Sequence, residues 1–212
     1  VEFLREANAK EAFDLGGDVV VIGGGNVAID AARTAARCGG GAVSMFCLES
    51  RDEMPASREE ILEASEEKIS IHNGWGPKEI LTENGKAIAV VFKKCTRVYD
   101  ENHRFAPLYN EGETKTVLCS DVIFSVGQGI VWGDLLKGTK VELRPNGGAI
   151  ADKLTYQTAE PDIFVGGDVY TGPKFAIDAI AAGREGAISL HRFVHEHCTL
   201  TIGRNRRDFT EL

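Results

Sequence analysis

The sequence predicts an α/β fold: a parallel sheet with helices packed on it, interrupted by an antiparallel meander. Three observations carry this reading. Short apolar runs alternate with helix-patterned segments over residues 19–72. One of these runs, Val19-Val20-Val21-Ile22, enters a glycine turn that opens directly into an alanine-rich helix. The period then switches to strand-like alternation over Ala87–Tyr99, before an apolar run returns at Val122-Ile123-Phe124-Ser125-Val126.

Residues 1–14 pattern as a short amphipathic helix, with Phe3, Leu4, Ala7 and Phe13 apolar, broken by Gly16-Gly17. A strand over 19–22 and a helix over 26–38 follow, and Gly39-Gly40-Gly41 ends the helix. Residues 42–48 form a second strand, parallel to the first by the right-handed crossover rule. Met54-Pro55-Ala56-Ser57 is a loop, and Ser57 caps a helix over 58–67 with Glu60 at capping-box spacing. Ile69–His72 is a short third strand. The meander pairs 87–99 with 115–118 around a polar turn near Asp100-Glu101-Asn102. Residues 130–150 are irregular, with a short helix near Asp134–Leu136. Asp162–Val165 is a strand ending in Gly166-Gly167-Asp168. A last helix spans about 174–196, apolar at Ile177, Ile180, Ala181, Ala187, Ile188 and Phe193.

Composition narrows the function classes. The chain has 212 residues, is 43% hydrophobic and carries a net charge of −8. A nucleic-acid surface is therefore not expected, and the short cluster Arg204-Asn205-Arg206-Arg207 reads as a solvated tail. No run approaches a membrane span, and no signal peptide opens the chain. The five cysteines, Cys38, Cys47, Cys95, Cys119 and Cys198, form no C-x-x-C and fit no zinc or iron–sulfur spacing. They read as reduced thiols of a cytoplasmic protein. His191 and His195 lie one helical turn apart but lack an accompanying carboxylate motif, so they read as surface histidines rather than metal ligands.

The turn after the first strand is G-x-G-x-x-A, the dinucleotide fingerprint of a Rossmann half. Gly23 allows the tight turn, Gly25 lets the backbone approach a pyrophosphate, and Ala28 lets the helix pack close to the strand. Gly24, Asn26 and Val27 are counted with them as cofactor-binding residues. The helix N-terminus offers unpaired N–H groups to the phosphates. About 20 residues further on, where such sites place an acidic side chain, stands Glu49. Its carboxylate suits the two ribose hydroxyls and opposes a 2′-phosphate. Two unit charges about 4 Å apart at an effective dielectric of about 20 interact by roughly 4 kcal/mol. NAD(H) is therefore favoured over NADP(H), with Arg51 nearby as partial compensation for a phosphate.

Four passages together resemble one family. They are Gly23-Gly24-Gly25-Asn26-Val27-Ala28-Ile29-Asp30, Glu53-Met54-Pro55-Ala56-Ser57-Arg58-Glu59-Glu60, Asp121 through Gln128, and Thr158 through Asp168 with the following Gly172–Gly186. In this order they resemble the glutamate synthase small-subunit family within the flavin-dependent pyridine nucleotide oxidoreductases. The resemblance implies a nicotinamide-binding domain inserted into an FAD-binding domain. This chain has one fingerprint and no cluster cysteines, and it opens in a helix without an initiator methionine. A fragment is therefore expected: a Rossmann-like NAD(P)H domain over residues 1–128, then the C-terminal portion of an FAD-binding domain over 129–212.

The resemblance further implies that Val126 and Gly127 pass beside the nicotinamide or the flavin. It implies that Asp168 bonds a ribityl hydroxyl of FAD, with Gly167 allowing close approach. The helix starting near Lys174-Phe175-Ala176 is expected to point its N-terminus at the pyrimidine end of the flavin. NAD(P)H would donate hydride to FAD, and electrons would pass to iron–sulfur clusters outside this segment or to an electron-accepting subunit. No catalytic side chain is required for that transfer. Two other readings stay open at this point: an NAD-dependent dehydrogenase acting directly on a small substrate, and a nucleotide-binding sensor without turnover.

Overall fold

The computed structural model describes residues 1–9, 13–195 and 197–201. The basic cluster at 204–207 and residues 10–12 of the helix expected over 1–14 lie outside the described residues, while residues 13 and 14 are not helical. The chain divides into two compact units, Val1–Gly127 and Gln128–Leu212.

The first unit is α/β, as the sequence pattern indicates. After α1 (Glu2–Ala9) come β1 (Val19–Ile22), α2 (Asn26–Arg37), β2 (Val43–Cys47), a single 3-10 turn at Arg51–Glu53, α3 (Arg58–Glu66) and β3 (Ser70–Asn73). The meander strands β4 (Trp75–Glu83), β5 (Lys86–Tyr99) and β6 (Phe105–Leu118) follow, and β7 (Asp121–Phe124) returns to the first sheet. That sheet has the order β3-β2-β1-β7, and its neighbours are all parallel. The meander forms a separate antiparallel sheet in the order β4-β5-β6.

Period-two alternation along β1 divides the core. Val19 and Val21 face the helices, packing with Ala28, Ile29, Ala32 and Ala35 of α2 and with Met45, Ile61 and Ala64. Val20 and Ile22 face the meander, packing with Phe46, Val90, Phe92 and Cys119. A strand buried on both faces must be apolar throughout, which is why β1 reads Val-Val-Val-Ile. The alanines of α2 allow the helix to approach closely. The helix ends at Cys38, and the Gly40 N–H closes it by donating to the Ala35 carbonyl at 3.0 Å. On its outer side, Arg33 donates to Glu67 at 2.8 Å and pairs with Glu60 and Glu63, tying α2 to α3. Ser57 caps α3 by accepting from the Glu60 N–H at 3.3 Å. The capping box is only half formed, because the Glu60 carboxylate is drawn to Arg33 at 3.4 Å.

Three differences from the expected elements have physical causes. β4 lies outside the expected elements, and it contains Gly76 and Pro77, which break strands in general. It forms as an edge strand whose register shifts between Pro77 and Glu79, where a missing N–H is tolerated. β6 begins ten residues before the expected 115, because its polar Asn110–Glu113 stretch lies on the exposed outer edge of the meander. In the second unit the expected helix near 134–136 is a series of i→i+3 turns, with Leu135, Lys137 and Thr139 donating to Trp132, Asp134 and Leu136.

The second unit carries little regular structure among the described residues: α4 (Asp168–Thr171), α5 (Ala176–Phe193) and isolated bridges. The expected strand at 162–165 reduces to a bridge between Phe164 and Gln157, since only the short stretch Tyr156–Thr158 pairs with it. Tyr170, Ala149, Ala182 and Ser189 are buried, while Ile177 and Ile180 of α5 stand 70% and 66% exposed. The apolar stripe of α5 is thus largely uncovered within this unit.

His72 of β3 lies where the parallel sheet meets the meander. Its ring stacks on Phe46 with centroids 4.5 Å apart, and Phe46 stacks on Phe92 at 4.0 Å. Burial, and then the Lys115 ammonium 3.5 Å from its Nδ1, lowers the His72 pKa below the ordinary 6.5. The unfolded chain therefore binds more protons than the folded one between the two pKa values. The stabilising contribution is full above about pH 6.5 and is lost as pH falls from there through the folded value. Thermal unfolding across this range should show a His72→Phe variant losing less stability on acidification than the parent chain; parallel profiles would remove His72 as the cause.

Candidate functional site

The turn between β1 and α2 is constrained from three sides. A Cβ placed on Gly23, whose φ is +147°, would lie 2.3 Å from the Ser125 carbonyl oxygen and 3.2 Å from the Ala28 Cβ. Glycine at 23 and a small residue at 28 are therefore demanded by the meeting of β1, β7 and α2. Gly24 is buried, and a Cβ there would lie 3.0 Å from the Cys47 Cβ and 2.9 Å from a Glu49 carboxylate oxygen. Gly25 differs. It has an ordinary φ of −92°, and a Cβ placed on it meets nothing within 4 Å. Among the described residues no contact requires glycine at 25, and none occupies the space at its Cβ position.

No side chain caps α2. The Asn26 and Val27 amides at its start lack intrahelical partners and donate to no other carbonyl among the described residues. The Asn26 side chain is occupied elsewhere: its Oδ1 accepts from the Ser57 N–H at 2.8 Å. The Gly24 carbonyl likewise accepts from the Ala56 N–H at 3.1 Å. The Met54–Ser57 loop is thereby bonded to the glycine turn, a role for Asn26 and for that loop that spacing alone did not reveal. Val27 is 45% exposed beside the turn.

Glu49 follows β2, and its carboxylate is turned toward the turn at Gly24. Its backbone is fixed by the Gly74 N–H at 3.1 Å and the Asn73 Nδ2 at 3.2 Å, both donating to the Glu49 carbonyl. Burial, and then the Glu49 charge, pushes the neighbouring Cys47 thiol up to about 12, so it remains protonated and is not a nucleophile. Arg51 is exposed and makes no ion pair among the described residues. The structure therefore brings Gly23, Gly24, Gly25, Asn26, Val27, Ala28 and Glu49 to one end of the parallel sheet, beyond the carboxyl ends of β1 and β2. Ligands of open α/β sheets bind at such ends. Val126 and Gly127 follow β7 at the same end of the sheet. Val126 is 70% exposed, and Gly127 takes a φ of +108° with open space at its Cβ position.

In the second unit, Gly167 adopts φ +65° and ψ −152° immediately before α4. The Asp168 side chain is exposed and makes no hydrogen bond among the described residues, so it is not spent on capping a turn. Lys174 and Phe175 precede α5, which begins at Ala176, and the Phe175 N–H donates to Asp178 at 3.2 Å. That first-turn carboxylate already offsets part of the positive end of the helix. The His191 and His195 rings lie with centroids 4.0 Å apart, tilted by 37°, with His195 Nδ1 directed at the His191 carbonyl, and no group of three or more metal-ligating side chains occurs among the described residues. All five cysteines are free, and no described helix is long and apolar enough to cross a membrane.

Comparisons with known proteins place this arrangement in context. The NADP(+)-dependent formate dehydrogenase subunit beta of Moorella thermoacetica is 32% identical over 206 residues, covering 94% of this chain and 28% of that protein. The NAD-dependent dihydropyrimidine dehydrogenase subunit PreT of Escherichia coli strain K12 is 30% identical, covering 94% of this chain and 42% of that protein. The glutamate synthase [NADPH] small chain of Halomonas elongata is 30% identical, covering 79% of this chain and 36% of that protein. The chain thus spans well under half the length of these relatives. Among solved structures, thioredoxin reductase of T. acidophilum shares the fold, with a TM-score of 0.71, 23% identity, and coverage of 89% of this chain and 55% of that one. The sequence also matches the family described as "Pyridine nucleotide-disulphide oxidoreductase" over residues 1–183, a span that takes in the glycine turn, Glu49 and Gly167-Asp168 alike. This chain is a member of that oxidoreductase family.

Proposed function

We propose that the chain binds NAD(P)H across the Gly23–Ala28 turn and is part of a flavoprotein oxidoreductase that draws reducing equivalents from it. The observation that carries this reading is Gly25. Its Cβ position is open, its φ suits any residue, and the uncapped start of α2 lies beside it. A glycine with no structural need inside the protein is explained by a ligand backbone such as a pyrophosphate lying against it. Glu49, held against the turn, receives the adenosine ribose hydroxyls and favours NAD(H) over NADP(H). The relatives named above divide between NAD and NADP in their own names, so this preference rests on Glu49 itself.

Residues 1–128 are the nicotinamide-nucleotide domain in this reading, and 129–212 the C-terminal portion of an FAD-binding domain. The exposed carboxylate of Asp168 beside Gly167, whose φ is +65°, fits a ribityl hydroxyl, and the start of α5 near Lys174, Phe175 and Ala176 fits the flavin end of FAD. FAD, when bound, supplies the ring that accepts hydride. The uncovered apolar stripe of α5 is consistent with burial against further chain in the whole protein. Relatives named as subunits support an electron-accepting partner, and electrons would pass from the flavin to that partner or to iron–sulfur clusters outside this segment. The free thiols support a cytoplasmic location.

Calorimetric titration of the chain should give tighter binding of NADH than of NADPH. Gly25→Val should abolish binding of both while the chain stays folded, and a folded variant with normal affinity would sink the reading. Gly25→Ala should separate the two roles further: with open space at its Cβ and an ordinary φ it should leave the chain folded while weakening nucleotide binding. In the same titration, Glu49→Arg should move preference toward NADPH by tenfold or more, since the charge change acts at about 4 Å; an unchanged ratio would mean that Glu49 does not face the ribose.

A further inference from the structure

The Glu49 carboxylate makes no hydrogen bond or ion pair among the described residues, yet one of its oxygens would lie 2.9 Å from a Cβ placed on Gly24. A charged side chain with no partner of its own takes its direction from its backbone. That backbone lies beyond the sheet ladder: Cys47 is the last residue of β2, and it pairs in register with Asn73 of β3. Two donors take over where the ladder stops. The Gly74 N–H at 3.1 Å and the Asn73 Nδ2 at 3.2 Å both bond the Glu49 carbonyl, which uses both of its lone pairs.

Asn73 is itself held on several sides. It ends β3 beside Cys47, and its Nδ2 also reaches the Cys47 Sγ at 3.2 Å. The next residue, Gly74, turns the chain toward the meander with a φ of +74°, and its carbonyl accepts from the Cys95 N–H at 2.9 Å. The corner that carries Asn73 is thereby tied to β5. A carbonyl oxygen only accepts, so the side chain facing Glu49 has to be a donor. The Asn73 amide is short and carries two N–H bonds on one nitrogen, so it serves the sulfur and the carbonyl together. An aspartate there would set an acceptor against an acceptor. An apolar residue would leave the Glu49 carbonyl with the Gly74 bond alone.

We propose that Asn73 is a positioning residue for dinucleotide specificity: by anchoring the Glu49 carbonyl it holds the Glu49 carboxylate at the adenosine ribose. This rests on the dinucleotide reading of the glycine turn and of Glu49. A carboxylate free to swing away loses its bonds to the ribose hydroxyls and also opposes a 2′-phosphate less. Loss of the Asn73 amide therefore weakens NADH and leaves NADPH unchanged or tighter. General loosening of the domain would weaken both dinucleotides alike, so the ratio of the two affinities separates the roles.

The test is a double-mutant cycle, with NADH and NADPH titrated calorimetrically against the full chain, Asn73→Ala, Glu49→Ala and the double variant. The Gly74 bond to the carbonyl at 49 is a backbone bond and should persist in every variant, so each should fold, as thermal unfolding would confirm. Asn73→Leu, which keeps the branched shape without a donor, takes the place of Asn73→Ala if the latter does not fold. Asn73→Ala should lower the NADH-over-NADPH affinity ratio about fivefold, the order that one neutral hydrogen bond carries. In the Glu49→Ala background the same substitution should move the ratio by less than about twofold, because no carboxylate remains to be aimed. Equal weakening of both dinucleotides by Asn73→Ala would overturn the proposal and leave Asn73 a purely structural residue. An equal change of ratio with and without the Glu49 side chain would overturn it too. If the parent chain bound neither dinucleotide, or if Glu49→Ala alone left the ratio unchanged, the reading of the site would fall and the proposal with it.

Discussion

The first unit depends on one crowded point, the end of β1. There Gly23 lies against the Ser125 carbonyl that follows β7 and against Ala28 of α2, leaving no room for a side chain. The central strand, its parallel neighbour and the helix it feeds all converge on this residue. Since β1 is buried on both faces, its position fixes the helical layer through Val19 and Val21 and the meander layer through Val20 and Ile22. The same crowding aims the start of α2 outward. Two residues on, at Gly25, the restraint disappears and the backbone faces open space. The contrast between a glycine required by packing and a glycine that packing does not require separates the scaffold from the candidate site.

Around that point the protein places groups of opposite sense. Glu49 lies against the turn, with its backbone fixed by Asn73 and Gly74. The loop at 54–57 is bonded to the turn through Asn26 and the Gly24 carbonyl, which makes the second helix of the layer part of the site's support. Arg33 strengthens that support by joining α2 to α3. Beside it, Arg51, which follows β2, and Lys94 and Arg97 of the meander line a cleft of about 500 Å³.

The helical side of the first unit was legible in the sequence because each element there carries its own local signal: β-branched β1, alanine-faced α2, the glycines after it, and Ser57 three residues before Glu60. The meander was less legible. β4 contains Gly76 and Pro77, which break strands in general but are tolerated at an edge with a register shift. The polar middle of β6 does not alternate, because its outer edge faces solvent. In the site, the glycine pattern and Glu49 were readable from spacing. Asn26 bonded to Ser57 arises only from tertiary pairing, and residues 31 positions apart carry no local sign of it. The second unit was readable in α5 but not in Asp162–Val165, whose apolar pattern specifies a strand while only Tyr156–Thr158 is present to pair with it. An apolar segment shows what it can bury, and its partner decides what it forms.

The central claim is that a dinucleotide lies on the open backbone at Gly25. The most direct measurement is a residue-resolved amide NMR titration of the chain with NADH. The largest shifts are expected at Gly25 and at the Asn26 and Val27 amides, which start α2 without partners among the described residues, with accompanying shifts at Glu49. Shifts absent from those amides and concentrated elsewhere in the chain would contradict it.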